Sequence, residues 1–407
     1  MSATIDPARD PDLAAAAAGA TAALARLEDW LTRSALPLWW RVGTDHVGGG
    51  FFEKIDLDGR AIEATRRTRV TGRQLYVFAT AARFGWSADA AAAISHGLSW
   101  FRRACLAADG TVVSTSHPDG RPADPRFELY DHAFALFGLA AVQAVAPSDE
   151  LVATARRMRE RMKAGWGHPI AGFEAANPRR LPLEANPHMH VFEAALAWEA
   201  VAPGAERAAW AGLADEIAGL CLDRFVHPES GAVREFFDGD WRPAAGEAGR
   251  IVEPGHQFEW AWLLARWGSA RGEARAIAAA RRLVEIAEGH GVDPVRGVAF
   301  AELWDDFSPK DRVARVWPQT ERIKAWLAMA GLAATEAERA AALDKVVAAT
   351  TGLDKYFSVS IPGLWRERLA GDGAFLVEPV PASSLYHITC AVTELRLRLT
   401  EFAVVTR

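Results

Sequence analysis

The feature that most restricts what this chain can fold into is an alternation between two kinds of helix. Helical periodicity dominates the sequence. Apolar spacing and chain breakers predict about twelve long helical stretches, roughly 13–36, 69–84, 88–106, 128–145, 149–165, 187–201, 206–225, 256–269, 273–289, 317–332, 336–350 and 383–402. The stretches at 88–106, 149–165, 206–225, 273–289 and 336–350 carry charged faces, as in Thr154–Arg161 with its four basic residues and one acid. Those at 128–145, 187–201, 256–269, 317–332 and 383–402 are apolar around much of their circumference. A helix apolar on nearly every side belongs in an interior. Twelve helices alternating in this way predict two concentric rings, an all-α fold built as an (α/α)6 barrel. The inner helices begin near 69, 130, 188, 256, 317 and 387, a repeat of about 60 residues. Glycine and aspartate around alternating residues at Gly48–Gly59, Gly231–Trp241 and Gly297–Asp305 predict short β-hairpins in the loops at one end. No Pro/Ser-rich linker divides the chain, so one domain is expected over 1–407, with 1–12 as a frayed tail.

Composition narrows the partners. Half of the 407 residues are hydrophobic, enough for a large core, and the net charge is −6 with no long basic tract. That argues against nucleic acid and anionic membranes. Cys105, Cys221 and Cys390 are far apart, form no CxxC and are odd in number, which points to three buried thiols in a reducing compartment. Asp6, Asp10 and Asp12 precede the Ala14–Ala18 run, where a secretory signal would need a basic start. No apolar run is long enough to span a bilayer. A cytoplasmic location is the expectation. Sixteen tryptophans against four tyrosines serve either core packing or stacking on an apolar ligand face.

The chemically unusual residues gather at the starts of the inner helices, which would share one end of a barrel. In Pro254–Trp260 (PGHQFEW), His256 opens a helix and Glu259 follows three residues later, on the same face. A carboxylate there can orient an imidazole and stabilise its charged form. In Ala185–His190 (ANPHMH), Asn186 and His190 share a face; His188 and His190 form an H-x-H pair, but no clear third ligand accompanies them, and no metal is expected. In Arg315–Glu321 (RVWPQTE), Trp317 and Glu321 set a stacking face beside an acid. Ser383–Thr389 (SSLYHIT) places His387 in an otherwise apolar helix. Arg66–Arg73 (RRTRVTGR) brings basic groups to the second helix, with Arg69 the preferred inward residue, and Tyr130 and Asp131 open the fourth. No phosphate loop, GxSxG elbow or HExxH is present.

Taken in this order, TRVTGRQLYVF, ANPHMH, PGHQFEW, RVWPQTE and SSLYHIT resemble the N-acylglucosamine 2-epimerase superfamily from about Gly48 to Thr389, and within it the mannose isomerase branch. The resemblance implies the same (α/α)6 barrel. It implies that His256 and His387 are the acid/base histidines, with Glu259 beside them. Arg69, Tyr130, Asn186, His190, Trp317 and Glu321 would hold and polarise the sugar. No cofactor is implied.

The implied reaction interconverts an aldose such as D-mannose with its ketose, D-fructose. The C2 proton is acidic only beside the C1 carbonyl of the open chain. His387 would carry it through a cis-enediol(ate), while His256 serves ring opening. Return of the proton to C2 from the opposite face gives a 2-epimerase instead. A metal-dependent isomerase is one further option, and two other classes compete. An inverting glycosidase would use a pair among Asp131, Glu193, Glu259 and Glu321, and a sugar-binding protein would need no chemistry at all. The expected partner is a monosaccharide; outer helices serve equally as a solvent face or as a homodimer contact.

Overall fold

A computed structural model describes residues 11–404. The expected tail falls largely outside them, although Pro11 and Asp12 already belong to the first helix. Helix α1 (Pro11–Trp30) passes through a π turn into α2 (Leu36–Arg41). The remaining helices are α3 (Thr68–Ala81), α4 (Ser87–Trp100), α5 (Leu129–Val145), α6 (Asp149–Trp166), α7 (Ala185–Val201) and α8 (Gly204–Leu220). They are followed by α9 (Pro254–Arg271), α10 (Ala274–Gly291), α11 (Val316–Gly331), α12 (Glu336–Asp354) and α13 (Ser383–Val404).

The odd-numbered helices from α3 to α13 pack in sequence and close into a ring, α13 returning to α3. Each of α4, α6, α8, α10 and α12 lies outside the inner helix that precedes it, and α1 packs on α12 and α13. This is the (α/α)6 barrel. The inner ring is buried on nearly every side; α9 alone buries Phe258, Trp260, Trp262, Leu263, Leu264 and Trp267. No helix among the described residues is long and apolar enough to cross a membrane.

The two rings begin their helices differently. Two outer helices have side-chain caps, Ser148 accepting from the Glu150 amide and Thr335 from the Glu338 amide. Inner helices α5, α7, α9 and α11 use a staple instead. Their fourth residues, His132, His188, Gln257 and Gln319, reach back to the amides of Val112, Phe173, Val233 and Ala299 in the adjoining loop. The staples leave the second residue of each inner helix free to face the barrel mouth.

Strands of two or three residues tie the loops together above that mouth. The residues just before α3, α5, α7, α11 and α13 (66–67, 127–128, 183–184, 314–315 and 380–381) each pair antiparallel with a different loop, at 115–116, 176–177, 236–237, 368–369 and 54–55. A Val252–Leu303 bridge does the same before α9. The sequence suggests hairpins local to each loop. Such pairs exist, as between 54–55 and 61–62, but the 236–237 strand joins a neighbouring loop, because the six units must be linked around the ring.

Backbone crowding fixes one point of the ring. A Cβ on Gly72 of α3 would lie 2.1 Å from the Phe134 carbonyl oxygen of α5, and one on Gly138 would lie 2.4 Å from the Gly72 oxygen. Gly72→Ala is expected to lower unfolding stability by about 3 kcal/mol, the upper end of ordinary overpacking costs. Gly212→Ala, on the exposed face of α8 with open space around it, should instead stabilise by about 0.5–1 kcal/mol through helix propensity. Denaturant midpoints of the two variants check the contrast.

Candidate active site

Helical spacing of i, i+4 and i+7 puts successive residues of each inner helix on the barrel axis. The mouth layer is Arg69, Tyr130, Asn186, Gly255, Trp317 and Ser383; the next is Arg73, Phe134, His190, Glu259, Glu321 and His387. Contacts run around the second layer. The Arg73 guanidinium lies 3.9 Å from the Phe134 ring centre, Phe134 lies 4.4 Å from His190, and His190 Nδ1 lies 3.9 Å from Glu259. His387 Nδ1 meets Glu321 at 2.8 Å.

A cavity of about 180 Å³ opens between these layers. Seven of the nine residues singled out by sequence line it: Tyr130, Asn186, His190, His256, Glu259, Trp317 and His387. Arg73, Glu253, Arg315, Ser383 and Ser384 complete the wall. The Trp317 indole stands between the two candidate acid/base residues, 5.1 Å from the His256 ring and 5.5 Å from the His387 ring. Gly255 makes room for it, since a Cβ there would come within 2.4 Å of the indole.

Arg69 and Glu321 lie off the wall. Arg69 is clamped by Asp131, which accepts from its backbone amide at 3.0 Å and from its guanidinium at 2.8 and 3.1 Å. Arg73, one turn further along α3, enters the cavity and donates to the Tyr130 hydroxyl at 2.7 Å. Glu321 sits behind His387 and holds its ring. Glu259 was expected to orient His256, but it points down the axis. Glu235 takes that position instead, its carboxylate 2.8 Å from His256 Nδ1, with Glu253 at 3.4 Å. Glu235 comes from the strand loop before α9, beyond the reach of helical spacing. His188 does not join His190. Its ring is spent on the loop backbone, and burial pushes its pKa down to about 4.

The two cavity histidines are held in opposite charge states. Burial opposes a charge on His256, yet Glu235 and Glu253 outweigh it and raise its pKa to about 10. Burial and the nearby cations Arg73 and Lys324 drive His387 well below the usual imidazole value. With Nδ1 of each ring turned to a carboxylate, Nε2 has no hydrogen-bond partner among the described residues. The surroundings thus favour a neutral His387 and a charged His256. Asn186 Oδ1 and both Glu259 oxygens are buried without hydrogen-bond partners among the described residues, which leaves them for the donors of a ligand.

Some of these groups also have metal-ligand spacing. His190, Glu193 and Glu259 form one such group, Glu259, Glu321 and His387 a second, and Glu235, Glu253 and His256 a third, each with ligand atoms within 4.8 Å of one another. In the second group a cation is already supplied by the protein, Lys324 Nζ standing 2.5 Å from Glu321 and 4.0 Å from Glu259.

The chain is an (α/α) barrel with two histidines, His256 and His387, in one cavity at the end of its inner ring. Residues 50–391 match the N-acylglucosamine 2-epimerase (GlcNAc 2-epimerase) family, and this chain belongs to that family. It is 50% identical over 372 residues to a mannose-6-phosphate isomerase of Rhizobium meliloti (strain 1021), covering 91% of this chain and 95% of that one. It is 30% identical over 236 residues to a D-mannose isomerase of Thermobifida fusca, covering 51% and 54%. Its fold superposes on cellobiose 2-epimerase from Spirochaeta thermophila DSM 6192 with a TM-score of 0.82 at 21% identity, covering 94% and 98%. The chain is a sugar-acting isomerase or epimerase of this family.

Opposite charge states predict the pH dependence of kcat/KM. Activity should rise with pH as His387 loses its proton, below the ordinary imidazole value of 6.5, and fall as His256 loses its own near about 10. Glu235→Gln removes an anion that favours the imidazolium. The alkaline limb should therefore move down by about one pH unit or more while the acid limb stays in place.

Proposed function

We propose that this protein transfers a proton at C2 of an open-chain aldose, with D-mannose the first substrate to test. The carrying observation is the pairing of a neutral His387 and a cationic His256 on either side of one indole, in a cavity of about 180 Å³ that suits a single sugar unit. His256 would protonate the ring oxygen to open the sugar, and His387 Nε2 would remove the C2 proton. The Arg73 guanidinium, with no carboxylate partner among the described residues, would stabilise the enediolate oxygens. Trp317 supplies an apolar face for the sugar carbons.

Two outcomes share this step. Return of the proton to C2 from the opposite face makes the protein a 2-epimerase, a reading supported by the family match and by the presence of two histidines in one cavity. Return to C1 makes it an aldose–ketose isomerase, a reading supported by the names of the Rhizobium and Thermobifida relatives. A glycosidase is disfavoured because it needs a pair of available carboxylates, and of the four candidates only Glu259 is without a hydrogen-bond or close ion-pair partner among the described residues. Asp131 is held by Arg69, Glu193 by Tyr386, and Glu321 by Lys324 and His387.

Incubation with mannose in D₂O, followed by NMR, tests the proposal. The C2 hydrogen of mannose is expected to be lost to the enzyme and replaced by solvent deuterium. Glucose deuterated at C2 identifies the epimerase outcome, and fructose deuterated at C1 the isomerase outcome. His387→Ala and His256→Ala should each lose about 10²–10⁴-fold in rate. A panel of free, phosphorylated and N-acetylated sugars under the same conditions identifies the substrate. Full activity in either variant, or no exchange with any sugar of the panel, would reject the proposal.

A further inference from the structure

A wholly buried lysine lies one helical turn below Glu321 on α11. Its Nζ forms an ion pair with Glu321 Oε2 at 2.5 Å and stands 4.0 Å from Glu259, 3.8 Å from Cys390 Sγ and 3.9 Å from the centre of the Trp262 ring. It does not itself line the cavity and lies behind the wall residue Glu259. Removing an ammonium group from water is costly unless its surroundings repay the loss. Here three buried carboxylates, Glu193, Glu259 and Glu321, crowd the same space, and each raises the lysine's affinity for its proton.

We propose that Lys324 is a positioning residue that keeps Glu321 ionised and thereby fixes His387 as the Nδ1–H tautomer, with the Nε2 lone pair facing the sugar. The linkage is a continuous chain of contacts, Lys324 Nζ to Glu321 Oε2, then Glu321 Oε1 to His387 Nδ1 at 2.8 Å. Only a carboxylate can serve at that point purely as an acceptor. Burial and Glu193 already push the Glu321 carboxyl upward and Lys324 is the main opposing influence, so without the ammonium Glu321 would take up a proton. A protonated Glu321 can donate its own hydrogen to Nδ1, which sends the imidazole proton to Nε2 and removes the base. Arg73, His190 and Glu193 also face His387, but none of them contacts the Glu321 carboxylate, so none can replace the lysine.

The inference rests on His387 being the base, and its test separates the two ideas. Long-range ¹H–¹⁵N correlation on histidine-labelled protein reads the tautomer without any substrate. The wild type should show His387 protonated on Nδ1. Lys324→Met should show it protonated on Nε2, with kcat lowered by about 10²-fold and KM changed by less than about threefold. Lys324→Arg, which keeps the charge, should retain the Nδ1–H form. An Nε2–H tautomer in the wild type overturns the proposal, and that measurement suffices even if Lys324→Met does not fold. Retention of Nδ1–H in folded Lys324→Met overturns it as well. A tautomer shift with undiminished turnover upholds the role of Lys324 and removes His387 from the role of base.

Discussion

Everything at this site depends on giving two identical side chains opposite charges within one small cavity. Imidazole alone has no preference strong enough to hold one ring charged and the other neutral at neutral pH. The surroundings supply it. His256 is flanked by Glu235 and Glu253, and its charge survives burial. His387 has a carboxylate of its own, Glu321, yet the cations Arg73 and Lys324 add to the effect of burial and keep the ring neutral. Each Nδ1 is tied to a glutamate, and each Nε2 is left for chemistry. The difference lies in the other charges nearby, a second carboxylate beside His256 and the cations Arg73 and Lys324 near His387.

The barrel makes such an arrangement possible by repetition. Six inner helices begin at the same height, and residues spaced i, i+4 and i+7 on each contribute to successive layers around one axis. Staples from His132, His188, Gln257 and Gln319 satisfy loop amides and fix the depth at which each helix starts. Strand pairs between loops lock neighbouring units together. A single layer then holds Arg73, His190, Glu259, Glu321 and His387 at one depth, although they are drawn from five separate segments of the chain.

Much of this could be read from the sequence, and the physical reasons are specific. Helices with no polar face, such as 256–269, had to lie inside, so the ring followed from patterning. The histidines of PGHQFEW and SSLYHIT stood out because polar residues at the starts of such helices need a reason to be there. Three features were not legible. Arg69 and Arg73 share a helix face, so periodicity could not choose between them; Asp131, one residue into a neighbouring motif, restrains the first and leaves the second to the cavity. Glu235 reaches His256 from a loop whose pairing is set by the closure of the ring. Lys324 is a residue type that rarely enters a core, and only the surrounding carboxylates explain its burial.

The central claim is the division of charge between the two rings, and a histidine-resolved NMR titration of the ligand-free protein measures it most directly. The account predicts that His256 holds protons on both nitrogens until the pH nears about 10, while His387 stays neutral until the pH falls below the ordinary 6.5. Two rings titrating together near that ordinary value would contradict it.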